Sequence, residues 1–482
     1  MNTARIALIA WTSSALACAQ APSPDGSPPD GAAEGSPEAL VESALMPTFT
    51  IRGEPVARPS LLDRMAELGV PGVSVAVLVD GEIAWARGYG LADVESGRPV
   101  TPNTLFQAAS ISKPVAALGA LRLVESGQVE LDGDVNAHLT SWQVPGNEFT
   151  EQAPVTLRGL LTHRAGLTVW GFPGYGPGEE VPDGPGVLDG RGNTDPVRPY
   201  KAPDESWRYS GGGYTVMQQL VADVHGKPFA TVMREGVLGP IGMSRSTYEQ
   251  PIPPERQDDI ATGYRPNGER VPGGWHTYPE QAAAGLWTTP SELALYAREM
   301  QRARRGESDL LLGEALAREM LTPDADDWGL GPAISPDGER FQHGGSNQGF
   351  RSTFAAYIDG DDGIFVMTNS DSGSQLASEI AITVAHAYGW SGPLSEEKVA
   401  VEVPTEVRDR YLGTYVAPEL GAEFRFEPDE RGLTLRQGPS RAVLWPLSDA
   451  SFFDPDTGRE AHFSLDGDEM TVRVGSIVAI RR

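Results

Sequence analysis

Two strand pairs at opposite ends of one long stretch constrain this chain more than any other feature. Val73–Val79 and Ile83–Arg87 are rich in β-formers and flank Asp80-Gly81. An Asp-Gly between two such runs is a strong hairpin signal. A second pair, Phe350–Tyr357 and Ile364–Thr368, surrounds Asp359-Gly360-Asp361-Asp362-Gly363. Between the pairs the pattern is helical: 111–126, ended by Gly127, then 156–161, 214–225 and 291–303, with 375–387 after the second pair and 60–68 before the first. Strands thus come first, helices fill the middle, and strands with a helix return. This predicts an antiparallel sheet completed by both ends of one α/β (α+β) domain, flanked by helices and carrying a helical insertion.

The 482 residues allow two or three domains at roughly 100–200 residues each. The expected division is 1–19 signal peptide, 20–43 disordered linker, 44–392 main domain, 393–404 linker, and 405–482 a small all-β accessory domain. The last is read from short strands separated by turns, 423–426, 433–435, 461–463 and 470–480, as a β-barrel or sandwich. Residues 171–206 are dense in Gly, Pro and Asp, and a loop that long is functional or disordered.

Net charge is −28, from 38 Lys+Arg against 66 Asp+Glu. Such a field repels phosphate backbones, so no nucleic-acid partner is expected. Cys18 is the single cysteine, which excludes intrachain disulfides and a cysteine-rich metal site. Arg5, an apolar run from Ile6 to Ala17 and small residues before Cys18 form a secretory pattern, too short to span a bilayer. The pattern resembles a bacterial lipoprotein signal with Cys18 as lipidation candidate, although Ala15 stands where leucine is usual. Lipid anchoring at Cys18 and simple cleavage after Ala17 or Ala19 both stay open. The expected location is exported: periplasmic, membrane-anchored or secreted.

Two Ser-x-x-Lys tetrads occur, Ser110-Ile111-Ser112-Lys113 and Ser395-Glu396-Glu397-Lys398. The second lies in a polar linker beside two acids. The first opens an apolar helix, where i and i+3 side chains share a face and free N–H groups at the helix start can hold an oxyanion. A serine hydroxyl is a poor nucleophile until a base takes its proton, and a desolvated lysine can serve. An arginine cannot. The chain uses arginine for most of its cations and holds four lysines, Lys113, Lys201, Lys227 and Lys398. Two further segments follow in order: Tyr209-Ser210-Gly211 before an apolar helix, and His343-Gly344-Gly345-Ser346 before a strand.

In order and spacing, these three segments resemble the active-site motifs of the serine β-lactamase and penicillin-binding-protein superfamily, in its class C β-lactamase and esterase branch. Leu160–Leu167 and Ala284–Pro290 also look like recurring segments of that family, and the resemblance covers about residues 45–392. It implies a β-lactamase/DD-peptidase-like fold. Ser110 would be the nucleophile, Lys113 its base and Tyr209 the proton shuttle. The backbone N–H groups of Ser110 and Ser346 would form the oxyanion hole, and Gly344 and Gly345 would let substrate approach. No metal or organic cofactor is implied.

Two departures bear on the substrate. Gly211 stands where β-lactamases and peptidases have Asn, and His343 where they have Lys, partly charged near neutral pH. Arg351 is an alternative cation. Both departures favour a small-molecule ester or a D-amino-acid peptide over a β-lactam. A β-lactamase and a catalytically silent receptor or scaffold are the alternatives. Trp170, Phe172 and Tyr175 either line the pocket or pin the long loop. His163 is expected to be structural, bonded to the backbone of its own turn. The G-x-S-x-G elbow and H-E-x-x-H are absent, which argues against those hydrolase classes.

Overall fold

The computed structural model describes residues 35–482 except 325, 418–421, 439, 468 and 476. The signal-peptide and Cys18 expectations lie outside the described residues.

The hairpin forms as its turn chemistry dictates. Asp80 and Gly81 both take positive φ, 51° and 77°, which a two-residue turn matched to strand twist requires. It joins Gly72–Val79 to Glu82–Asp93. Gly72–Val79 then pairs antiparallel with Gly363–Thr368, and that strand with Phe350–Tyr357. Next comes Arg340–Asn347, so the His343 segment expected to precede a strand is itself one. The seven-stranded sheet is closed at its two edges by the short strands Arg98–Pro99 and Ala333–Ile334.

Helices cover both faces. Leu61–Leu68 and Gly373–Tyr388 pack on one, around Val73, Val75, Val77, Ile364 and Val366. They are locked together by a bidentate pair from Arg64 to Glu379 at 2.7 and 2.9 Å, with side chains 7% and 2% exposed. The opposite face meets Pro290–Arg304 and the helical insertion. There Ser112–Glu125 and Gly211–His225 form the core, the latter capped by Ser210 at its start and ended by Gly226 at φ 62°.

Two linker expectations need correction. Residues 37–43 form a helix, Pro37–Ser43, capped by Ser36 and burying Val41 against the Gly373–Tyr388 layer. Apolar residues in that stretch had a partner that composition does not reveal. Within 393–404, Glu396–Lys398 pairs in parallel with Phe49–Ile51. The second tetrad lies there: Lys398 is paired with Glu396 at 2.7 Å and Ser395 donates to the Pro47 carbonyl.

The tail is a closed eight-stranded barrel, sealed where Gly413–Ala417 meets Ile477–Arg481. Alternate side chains point inward and fill it with Tyr415, Phe424, Phe426, Phe452 and Phe463. Phe453 packs edge-on against Phe49. No described helix is long and apolar enough to cross a membrane.

Candidate active site

Ser110 sits on a short turn, Ala109–Ile111, that leads into the Ser112–Glu125 helix. The preceding Ala109 is held at φ 51°, a conformation that costs a side-chain-bearing residue about 1–3 kcal/mol and persists only when its surroundings fix it. They do so here: the Ala108 N–H donates to the Leu286 carbonyl at 2.8 Å, and Ser352 Oγ donates to the Ala108 carbonyl at 3.1 Å.

One helical turn on, Lys113 is 2% exposed. Its Nζ donates to Ser110 Oγ at 3.0 Å and to the Ala283 carbonyl at 2.8 Å. Among the described residues its amine has a hydroxyl and a carbonyl as partners and no carboxylate within ion-pair distance. Rings of Tyr209 and Tyr214 lie 4.8 and 5.7 Å from the amine. Desolvation by burial pulls its pKa from 10.5 to about 7. Such an amine is neutral for a large part of the time at neutral pH and can accept the Ser110 proton. Tyr209 is half-buried; burial pushes its phenol pKa up, and the neighbouring Ser110 hydroxyl draws it partly back.

His343 and His163 flank this group. Burial, then the neighbouring Lys113, pulls the His343 pKa to about 3. The expectation of a partly charged His343 is therefore corrected: it is neutral. Its Nδ1 lies 2.6 Å from the Gly344 carbonyl. A carbonyl only accepts, so Nδ1 carries the proton and Nε2 presents a lone pair. His163 has the opposite tautomer, because its Nδ1 accepts from the Ser210 N–H at 3.0 Å. That bond reaches the Tyr209 motif rather than His163's own turn. The imidazole lies against the Tyr209 ring, with centroids 4.2 Å apart.

These residues open onto a cavity of about 590 Å³ whose lining includes Ser110, Lys113, Tyr209, His343, Gly344, Gly345 and Ser346. Among the described residues that line it, Lys113 is the one lysine or arginine, and there is no carboxylate. The strand Arg340–Asn347 forms one wall and is tied to its neighbour through a two-residue turn. Ladder alternation then pairs Asn347 and Gly345 inward and leaves the Ser346 N–H facing out of the sheet edge. The sequence-ordered motifs therefore converge on one reacting position.

Residues 61–388 match the family described as Beta-lactamase. The chain belongs to the beta-lactamase family. This beta-lactamase-family chain is 24% identical to penicillin-binding protein 4* of Bacillus subtilis over 80% of its own length and 89% of the relative's. It is 30% identical to esterase EstB of Burkholderia gladioli, over 55% and 76%. With the D-aminopeptidase of Gluconobacter oxydans it shares 27% identity over 76% and 67%. Among solved structures, the octameric penicillin-binding protein homologue from Pyrococcus abyssi has the same fold, with a TM-score of 0.62 at 23% identity, covering 87% of this chain and 98% of that one. Beta-lactamase-fold proteins are typically serine hydrolases, and the convergence of Ser110, Lys113 and Tyr209 fits that chemistry.

Two expected binding residues of this beta-lactamase-family chain lie outside the cavity lining. Gly211 is covered by the long loop: a Cβ there would stand 2.9 Å from the Phe172 ring and 3.1 Å from the Trp170 carbonyl. The aromatic loop occupies the space an asparagine would need. Arg351 is paired with Asp371 at 2.9 Å and donates to the Asn347 and Phe350 carbonyls, so it is no free cation. Trp170 and Phe172 do line the cavity, with Trp207 beside them. Tyr175 is buried and pins the loop, through a bridge to Thr277 and by accepting from the Asn193 N–H. Sequence reasoning missed Trp207, Thr353, Ser374 and Ser378. The two helix serines share an i,i+4 face, a spacing far too common to single them out.

Proposed function

We propose that this protein is a serine hydrolase that acts on uncharged carboxylic esters through an acyl-enzyme. The observation that carries the reading is the Lys113 amine, desolvated and 3.0 Å from Ser110 Oγ. Lys113 takes the hydroxyl proton as Oγ attacks the ester carbonyl. The N–H groups of Ser110 and Ser346 hold the resulting oxyanion. Tyr209 passes the proton to the departing alkoxide, the C–O bond breaks, and the acyl group stays on Ser110. Water, deprotonated through the same Tyr209 and Lys113 pair, then releases the acid. Among the described residues lining the cavity Lys113 is the one lysine or arginine, and it is committed to this proton traffic. A neutral His343 and a paired Arg351 leave a substrate carboxylate without a partner, which favours esters over β-lactams.

The D-aminopeptidase relative favours a second reading, D-amino-acid peptides. For location, the basic, apolar and small-residue regions of 1–19 support export, with Cys18 available for a lipid anchor.

The test is hydrolysis of p-nitrophenyl butyrate by the wild type and by Ser110→Ala. The reading expects a p-nitrophenol burst and turnover in the wild type, with both lost in the variant. Equal activity in the two proteins, or a folded wild type that neither hydrolyses the ester nor becomes acylated on Ser110, refutes it.

A further inference from the structure

The cavity is chemically divided. One side is aromatic, built from Trp170, Phe172 and Trp207. The other runs past the exposed edge of the Arg340–Asn347 strand and is lined by four hydroxyls, those of Ser346, Thr353, Ser374 and Ser378. Thr353 stands directly across from Gly344 in the ladder, so both face the same side of the sheet. Ser374 and Ser378 sit one turn apart on the Gly373–Tyr388 helix. Gln375 is bonded to Glu379 and the Asp456 carbonyl, and Ser352 to the Ala108 carbonyl. By contrast, none of the four cavity hydroxyls makes a hydrogen bond within the described protein. Among the described lining residues Lys113 is the one Lys, Arg, Asp or Glu, and its amine is held at Ser110 Oγ and the Ala283 carbonyl.

Position decides which half of the substrate reaches this wall. Tyr209, the group that protonates the leaving oxygen, has its ring 6.3 Å from that of His343, at the start of the strand's cavity-lining segment. A leaving oxygen protonated by Tyr209 is thus within reach of the His343–Gly344 segment. Gly344 keeps that way open: a Cβ there would find one neighbour, the Ser352 carbonyl, at 3.9 Å. Thr353 stands across from Gly344, and Ser346, Ser374 and Ser378 line the same cavity, each hydroxyl able to donate one hydrogen bond and accept two. An anion or cation would find no counter-charge there, and an alkyl group would desolvate the hydroxyls without compensation.

Building on the acyl-enzyme reading, we propose that Ser346, Thr353, Ser374 and Ser378 form a leaving-group subsite for a neutral polyol, so that the natural substrate is an ester of a glycerol-like or sugar hydroxyl. By microscopic reversibility the same subsite binds a polyol as acceptor. The incoming hydroxyl gives its proton through Tyr209 to Lys113, its oxygen attacks the acyl carbonyl, and Ser110 leaves as the reprotonated alcohol.

The experiment partitions the butyryl-enzyme, formed from p-nitrophenyl butyrate, between water and added glycerol or 1-propanol, with the new esters quantified by chromatography. Glycerol should capture the butyryl group about tenfold better than 1-propanol, and saturably, as two hydrogen bonds imply. The glycerol-to-propanol ratio should fall toward one in the Ser374→Ala/Ser378→Ala double variant and, separately, in the near-isosteric Thr353→Val. A burst with no glycerol preference in the wild type, or a ratio unchanged in both folded variants, overturns the subsite alone. Absence of both p-nitrophenol release and any new ester, in a folded wild type, removes the acyl-enzyme reading and the subsite with it.

Discussion

Lys113 makes the sharpest prediction. An amine with its ordinary pKa of 10.5 would be neutral in roughly one molecule in 3,000 at pH 7; with a pKa of about 7 about half are neutral. The displacement corresponds to about 5 kcal/mol of discrimination against the ammonium form, and it is supplied by burial without a second cation. The active form is the deprotonated one, so acylation must rise with pH. The burst rate with p-nitrophenyl butyrate, followed by stopped flow from pH 5 to 9, should climb tenfold per unit and level off near pH 7. Lys113→Arg keeps a cation that cannot deprotonate. It should lower the burst rate by about 10²–10⁴-fold, the range of general base catalysis, and erase the inflection. A wild-type profile flat across this range, or one inflecting above pH 9, would refute the claim that burial tunes the base. So would a Lys113→Arg variant that kept the inflection.

Three further outcomes follow from the packing. Glu280 is fully buried with both carboxylate oxygens unpartnered, and burial raises its pKa from 4.5 to about 8. The native state holds this proton while the unfolded chain gives it up, so its contribution is intact below pH 4.5 and lost as pH rises through 8. Glu280→Gln should therefore gain thermal midpoint over the wild type at pH 9 and not at pH 4; a pH-independent difference would contradict this. Glu379→Ala takes the bidentate carboxylate from the buried Arg64 guanidinium, leaving it the more exposed Glu67 at 2.7 Å and Asp456 at 3.6 Å, and should cost about 3 kcal/mol in urea unfolding, with a loss under 1 kcal/mol counting against it. At Gly345 a Cβ would lie 2.2 Å from both the Ala108 carbonyl and Ser352 Oγ. Gly345→Ala should shift the Ser110 turn and lower ester turnover by about 10²-fold, whereas Gly344→Ala should melt like the wild type.

The reactive centre was legible in the sequence because its chemistry demands particular side chains at short range. Ser110 and Lys113 lie one helical turn apart, Ser210 caps a helix, and Asp80-Gly81 announces its turn. Properties that depend on distant partners were not legible. The neutrality of His343 follows from burial contributed by other segments, including Trp328, whose ring meets it edge-on at 5.5 Å. Arg351 is neutralised by Asp371, and only the folded sheet brings the two together. Gly211 reads as a missing amide until Phe172 is seen above it. Barrel and sandwich share one strand pattern, and the contact between Gly413–Ala417 and Ile477–Arg481 decides between them.

The seam at the centre of the main sheet also governs how the chain reaches its native state. Val73 pairs with Thr368, a contact spanning ~300 residues of chain, and contacts of such separation are slow to form. During synthesis the first hairpin emerges early, and one side of Gly72–Val79 waits without its partner until residue 368 has left the ribosome. Throughout that interval an apolar strand edge stands open, the kind of surface on which nascent chains associate. Truncation before Gly363 should consequently yield insoluble material, and holdase chaperones should matter most between the appearance of the hairpin and the arrival of its distant mate.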